Sequence, residues 1–495
     1  MERPIILTIE HLVTALAGRP APELKEAAAG VEIPNAVVDS RRAGPGSLFV
    51  ALRGQRHDGH DFISQAVSAG AVAVLAERCP AELAGITLPG GEPLPAGLKA
   101  GPGQPICLVV PDSLAALQRV ASYWRRQHDV RVVAVTGSVG KTTSKEIIAA
   151  VLGQRYRCLK SEGNYNNEIG LPLTLLHLRA DHERVVLEMG MYELGEIAQL
   201  AAIALPHVGV VTDVGPSHLE RLGSIERIAQ AKAELPQALP PAAEGGVAIL
   251  NEDDSRVRAM AGLTRARVFT YGLSPTADLW ADEIESQGLE GIRFRLHHAG
   301  ESLHVRLPLL GRHSVHTALR GAAAGLVEGL SWEEIITGLR DQESELRLVA
   351  VPGPSGSTIL DDTYNASPAS SLAALNLLEE LPLANPGARK IAVLGDMYEL
   401  GSYEEEGHRV VGRRAREVAD LLVAVGKLGS LMGQEAMKAG MAAGSVHLVE
   451  DNVRAIAVLR DLLGSGPGGD VLLVKGSRGL EMEQIVAALQ ERVLP

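Results

Sequence analysis

The segment Thr136-Gly137-Ser138-Val139-Gly140-Lys141-Thr142-Thr143 constrains this chain more than any other, because it joins two stretches of opposite character. Before it, Arg131-Val132-Val133-Ala134-Val135 reads as a buried strand; after it, Lys145 to Leu152 reads as a helix. A strand handed to a helix through a two-glycine turn predicts an α/β layer with the turn at the carboxyl edge of the sheet. Gly137 and Gly140 let backbone N–H groups converge without a Cβ in the way, and the helix start adds partial positive charge. The turn is therefore expected to cradle the phosphates of ATP, with Lys141 on the β- and γ-phosphates and the Thr142 hydroxyl on magnesium. The strict eight-residue pattern places a glycine five residues before Gly140; that position is Val135, so the loop is the shorter TGxxGK[ST] form.

A chain of 495 residues exceeds one ordinary core and is expected to divide into about three domains. The run Leu88 to Pro105, dense in Gly and Pro, reads as a linker, and the strand–helix pattern restarts after Leu307-Pro308-Leu309-Leu310-Gly311. The expected domains are residues 1–104, a small α/β unit, 105–312, a helix-covered parallel sheet carrying the phosphate loop, and 313–495, a Rossmann-like doubly wound α/β unit. The acidic cluster Glu404-Glu405-Glu406 reads as a solvated helix start.

A net charge of -13 provides no broad basic surface for nucleic acid or acidic lipid, so an anionic substrate must meet local positive groups. Three widely spaced cysteines, Cys79, Cys107 and Cys158, suit neither a disulfide framework nor a zinc cluster, and a reducing cytoplasm fits them. No signal peptide and no membrane span are expected, and a monomer is the expected state.

Phosphate chemistry needs its metal held from more than one side, which directs attention to the ends of neighbouring strands. Glu188 follows Val185-Val186-Leu187, and His218 follows the strand Val208 to Thr212 and its turn; both are expected beside the loop. Lys232 stands out for a different reason. Ser224 reads as the N-cap of a helix ending before Pro236, on which Ile225, Ile228, Lys232 and Leu235 share one face, so a lysine enters an apolar stripe. Either its stem packs while the ammonium escapes to water, or a buried neutral amine takes up carbon dioxide and becomes a carbamate able to bind magnesium.

VTGSVGKTTSKE at 135–146, GNYNNEIG at 163–170, LEMGM at 187–191 and SHLERLGSIERIAQAKAEL at 217–235 resemble the central domain of the Mur ligases, ATP-dependent peptide-bond formers of peptidoglycan synthesis. VVDSRRAGPGSLFVALRG at 37–54 and HDGHDF at 57–62 look like that family's uridine-nucleotide domain. LDDTYNASPAS at 360–370, VLGDMYELG at 393–401 and VLLVKGSRGLEME at 471–483 look like the last domain of the member that adds D-alanyl-D-alanine. The Asn-Pro-Arg motif of the diaminopimelate-adding member does not occur.

The resemblance implies roles. Thr142, Glu188 and His218 would be magnesium ligands, and a carbamylated Lys232 would position a second magnesium. Ser40 and Arg41 would hold the uridine diphosphate end of the substrate, with Asn164 and Asn167 meeting its sugar and diphosphate. Arg347 would approach the γ-phosphate and Asp361 the ATP ribose, while Tyr364, Asn365, Lys475 and Ser477 would face substrate in the last domain. Two departures stand out. The family's Gly-x-His-Asn-x-x-Asn is Gly311-Arg312-His313-Ser314-Val315-His316-Thr317 here, and the Pro-Gly before the γ-phosphate arginine is Glu345-Leu346. The reaction implied joins D-Ala-D-Ala to the terminal carboxylate of UDP-MurNAc-tripeptide through an acyl phosphate. Its alternatives are an amino-acid-adding or folylpolyglutamate-synthase-like ligase and, from another class, a non-catalytic ATP-binding regulatory protein.

Overall fold

The computed structural model describes residues 6–19, 31–54, 57–88, 103–217, 219–341 and 348–490. Among these, three sheets form, each built mainly from parallel strands between helices. Runs of β-branched residues become the central strands because both of their faces are covered, as in Val132-Val133-Ala134-Val135, where every side chain is buried.

The first sheet is wholly parallel, in the order Ala36–Val37, Leu48–Val50, Ala73–Ala76, Ile106–Val109, Ala84–Thr87. This order places the boundary expected at 104 inside a domain. Ile106–Val109 lies between Ala73–Ala76 and Ala84–Thr87 and completes the first sheet. The Gly/Pro run therefore connects two strands of one sheet; most of it, residues 89–102, lies outside the described residues.

The second sheet begins with Cys158–Lys160, Arg184–Glu188, Arg131–Thr136, Val208–Val211, Val247–Asn251 and Arg267–Gly272, all parallel. Leu279–Ser286 then adds parallel to Arg267–Gly272 and turns back through the antiparallel strands Ile292–His298 and Glu301–Leu307. The helices Ser314–Val327 and Trp332–Leu339 also belong to this body. Their buried faces share one core with Ile147, Ile148 and Val151 of the phosphate-loop helix Lys141–Leu152. Gly338 approaches so closely that a Cβ there would lie 2.4 Å from the Val151 Cα. The boundary expected at 312 thus falls short of the end of the central core, which runs through the helix ending at Leu339.

The third sheet runs Val349–Pro352, Thr358–Asp361, Val471–Lys475, Lys390–Gly395, Leu421–Val425, Val446–Val449, parallel except for its first strand. Glu404, Glu405 and Glu406 open the helix Glu404–Val418, where Arg409 and Arg413 pair with Glu405 and Glu406. No described helix is long and apolar enough to cross a membrane, and the three cysteines are free.

Candidate active site

Strand register brings the site together. Arg131–Thr136 runs between Arg184–Glu188 and Val208–Val211, pairing Val135 with Glu188 and Thr136 with Val211. The carboxyl ends of three strands therefore meet where the chain turns into the helix Lys141–Leu152. Thr136 closes its strand, fully buried, with its hydroxyl donating to the Met189 carbonyl at 2.9 Å.

The loop needs both glycines. Gly137 has φ +150°, and a Cβ there would lie 1.7 Å from the Thr212 Oγ1; Gly140 has φ +77° and caps the helix in the left-handed region. The turn is fastened to the neighbouring strand. Asp213 Oδ1 accepts from the Ser138 and Val139 amides at 3.0 and 2.8 Å, and the Thr212 hydroxyl donates to the Val139 carbonyl at 2.7 Å. The Ser138 hydroxyl donates to the Gly215 carbonyl at 2.9 Å. These contacts leave the amides at the helix start, which have no intrahelical partner, to face an anion. Lys141 Nζ donates to the Gly137 carbonyl at 2.8 Å, poised over the same turn, and Thr143 lines the cavity beside it.

On the other side of the helix start, the buried Thr142 hydroxyl donates to Glu188 Oε2, while Asn166 Nδ2 donates to Oε1 at 2.8 Å. A hydroxyl beside a buried carboxylate is a hard-oxygen donor set that fits magnesium. No group of three or more His, Cys, Asp or Glu able to hold a metal occurs among the described residues. His218 and Arg347 lie outside the described residues, although their neighbours Ser217 and Leu348 line the same cavity.

Lys232 is buried on the helix Ile225–Ala238, capped by Ser224 as the sequence predicts. This helix does not stop before Pro236 but carries it internally to Ala238. Pro236 lacks the N–H that would bond the Lys232 carbonyl four residues earlier, which weakens the ladder at the lysine. The side chain does not snorkel, being only 2% exposed, and it forms no ion pair among the described residues. Burial first, and the Lys141 charge second, push its pKa well below the ordinary lysine value, against an opposing pull from Asp213.

A cavity of about 1080 Å³ opens between the loop and the third domain, and Asn164, Tyr364, Asn365, Lys475 and Ser477 are brought to its wall. Lys475 is buried and bound to Asp362 at 2.6 Å and to the Asn365 carbonyl at 2.9 Å; Ser477 Oγ accepts from the Tyr398 amide at 2.9 Å. Asn167 also reaches the wall, but its Oδ1 is engaged by the Ile169 and Gly170 amides at the start of the helix Gly170–Leu175. Asp361 is not among the lining residues, and its carboxylate accepts from the Thr363 amide and hydroxyl.

Ser40 and Arg41 stand apart from this cavity. Ser40 donates to Gln65 Oε1 at 3.0 Å, and Arg41 is exposed and clamped on Asp39. Their neighbour Arg42 instead bridges the domains, donating to the Tyr165 hydroxyl at 2.6 Å. Sequence reasoning missed Asn166, Asp213, Arg42 and the buried Arg320, which also lines the cavity. The asparagine-rich GNYNNEIG and an acid at a strand end were the available signals for Asn166 and Asp213.

A glycine-bent loop between strand and helix, flanked by a hydroxyl–carboxylate pair and facing a second α/β domain across a cleft, defines a nucleotide-dependent enzyme of the phosphate-loop class. Residues 32–87, 135–325 and 346–478 match the models "Mur ligase family, catalytic domain", "Mur ligase middle domain" and "Mur ligase, glutamate ligase domain". The UDP-N-acetylmuramoyl-tripeptide–D-alanyl-D-alanine ligase of Bacillus subtilis (strain 168) is 37% identical over 462 residues, covering 92% of this chain and 93% of that one. A MurF crystal structure from Acinetobacter baumannii superposes with a TM-score of 0.80 at 31% identity, covering 98% of each chain. The MurF ligase of Thermotoga maritima, solved in complex with ADP, gives 0.72 at 28% identity over 93% of this chain and 97% of that one. The chain belongs to the Mur ligase family.

Proposed function

We propose that this chain is the ATP-dependent ligase that joins D-alanyl-D-alanine to the terminal carboxylate of UDP-MurNAc-tripeptide, giving UDP-MurNAc-pentapeptide, ADP and phosphate. The observation that carries the reading is likeness across nearly the whole chain to a ligase named for that reaction, at 37% identity. The same likeness favours dipeptide addition over the amino-acid-adding, folylpolyglutamate-type and non-catalytic alternatives.

The chemistry asks for what the cleft offers. A carboxylate is a poor electrophile until its oxygen becomes a leaving group, and phosphoryl transfer from ATP makes an acyl phosphate. The dipeptide amine then attacks the acyl carbon, and phosphate departs. Lys141 and the amides at the helix start would hold the β- and γ-phosphates, with Arg347 offsetting charge from across the cleft. Thr142, Glu188 and His218 would hold magnesium, which supplies charge stabilisation on the phosphoryl oxygens when bound. Lys232, as its carbamate, would hold a second ion; its burial and depressed pKa support a neutral amine able to take up carbon dioxide.

Ser40, Arg41, Asn164 and Asn167 would hold the uridine-sugar end, Asp361 the ATP ribose, and Tyr364, Asn365, Lys475 and Ser477 the peptide end. Lys475, already paired with Asp362, shapes that wall more than it adds net charge. Closing the cleft would bring the reacting atoms together and exclude water.

Phosphate release tests the reading: it should require both UDP-MurNAc-tripeptide and D-Ala-D-Ala, and release with free amino acids in place of the dipeptide would overturn it. For the carbamate, ¹³C-bicarbonate should give a carbamate NMR signal in the wild type that Lys232→Ala lacks. Normal turnover in that variant would sink the assignment.

A further inference from the structure

The helix Ser314–Val327 carries both replaced asparagines, as Ser314 and Thr317, and one turn beyond Thr317 it carries Arg320. Arg320 is only 6% exposed, yet it lines the cleft beside the phosphate loop. Its guanidinium rests against Gly140: a Cβ on that glycine would lie 3.1 Å from one terminal nitrogen and 3.7 Å from the other. One terminal nitrogen donates to the Thr317 hydroxyl at 2.9 Å, Nε is buried without a hydrogen-bond partner, and no carboxylate pairs with the group among the described residues. A desolvated arginine with an unfilled donor is costly unless an anion completes it.

The loop's own electrostatics point the same way. The Asp213 carboxylate occupies two loop amides, so it both removes donors and places a negative charge next to where phosphate would sit. Lys141 is one compensating cation. Arg320 is a second, and it approaches the loop from the helix that packs against Lys141–Leu152.

Resting on the ATP-dependent reading above, we infer that Arg320 contacts the nucleotide phosphates directly, with Thr317 holding the guanidinium in place. The planar guanidinium offers parallel N–H donors to one phosphate group, which a lysine ammonium cannot reproduce.

Calorimetric binding of ADP, AMP and adenosine to the full chain, without peptide substrates, tests this. Arg320→Met should weaken ADP about tenfold to a hundredfold, as expected for a lost hydrogen bond to a charged group, and leave adenosine unchanged. Arg320→Lys should fall between, and Thr317→Val, which keeps the charge but frees it, should weaken ADP less than Arg320→Met. Unchanged ADP affinity in Arg320→Met, or an equal loss for adenosine and ADP, would overturn the inference. Should Arg320→Met fail to fold, Arg320→Lys and Thr317→Val decide on the same criteria. Failure of the wild type to bind ADP would instead overturn the ATP-dependent reading itself.

Discussion

Gly137→Ala isolates the contact on which the phosphate loop is folded. The new Cβ would lie 1.7 Å from the Thr212 Oγ1, about half of an ordinary contact distance, so the hydroxyl must leave. Leaving breaks its bonds to the Val139 carbonyl at 2.7 Å and to Asp213 Oδ1 at 2.9 Å. The one hydroxyl proton is shared between these two acceptors, one of them a carboxylate, so its loss costs about 2 kcal/mol, and holding alanine at φ +150° adds about 1 to 3 kcal/mol. Gly137→Ala is therefore expected to cost about 3 to 5 kcal/mol, and Thr212→Ala about 2 kcal/mol. In the double variant the hydroxyl is lost only once, so Thr212→Ala should cost almost nothing further in the Gly137→Ala background. Equilibrium urea unfolding followed by tryptophan fluorescence measures all three. Additive costs would refute the reasoning, because they would mean that the hydroxyl keeps its partners when the Cβ is present.

Asn166→Ala should raise the magnesium concentration for half-maximal phosphate release by about tenfold or more, because it frees the carboxylate oxygen of Glu188 that the amide holds; an unchanged magnesium requirement would count against Glu188 as a ligand. Glu328→Leu leaves the Arg131 and Arg184 guanidiniums without the buried carboxylate that they share, at 3.0 and 2.6 Å, and should cost about 3 kcal/mol in urea unfolding. His11 and His128 flank Trp124, and burial holds both below the ordinary histidine value of 6.5. The unfolded chain therefore takes up more protons as pH falls through 6.5, so this contribution to stability is full above that pH and declines on acidification. Thermal melts from pH 7.5 to 5 should show that decline, and His128→Asn should make it shallower.

The legible parts of the fold were those written contiguously. Val132-Val133-Ala134-Val135 and Leu421-Leu422-Val423-Ala424-Val425 are apolar on both faces and could only be covered strands. The antiparallel ribbon was less visible, because in Ile292–His298 only Ile292, Phe294 and Leu296 are buried, while Arg293, Arg295 and His297 alternate with them. Domain limits were misplaced for a related reason. A Gly/Pro run marks where the chain loses regular structure, not where a sheet ends, and Ile106–Val109 returns after it to pair with strands on both sides. In the site, Lys141, Thr142 and Glu188 were readable from motif and strand position. Asn166, Asp213 and Arg320 act through register and helix packing, which connect residues far apart in the chain.

Those cross-strand contacts also explain how a shortened loop can work with Val135 where a glycine would begin the longer one. Val135 is fully buried and still paired in the strand, opposite Glu188, so the sheet extends one step further toward the nucleotide and carries the carboxylate with it. A glycine turn opening at 135 would release the strand early and surrender that register. Thr212 and Asp213, just past the end of the adjacent strand, anchor the loop through Val139 and Ser138. Anchoring by a carboxylate uses up two amides and adds a negative charge, so on the proposed reading the helix start, Lys141 and Arg320 would be left to attract phosphate. On that reading the arginine would be the electrostatic counterpart of the aspartate, a cation offsetting the charge that fixes the loop.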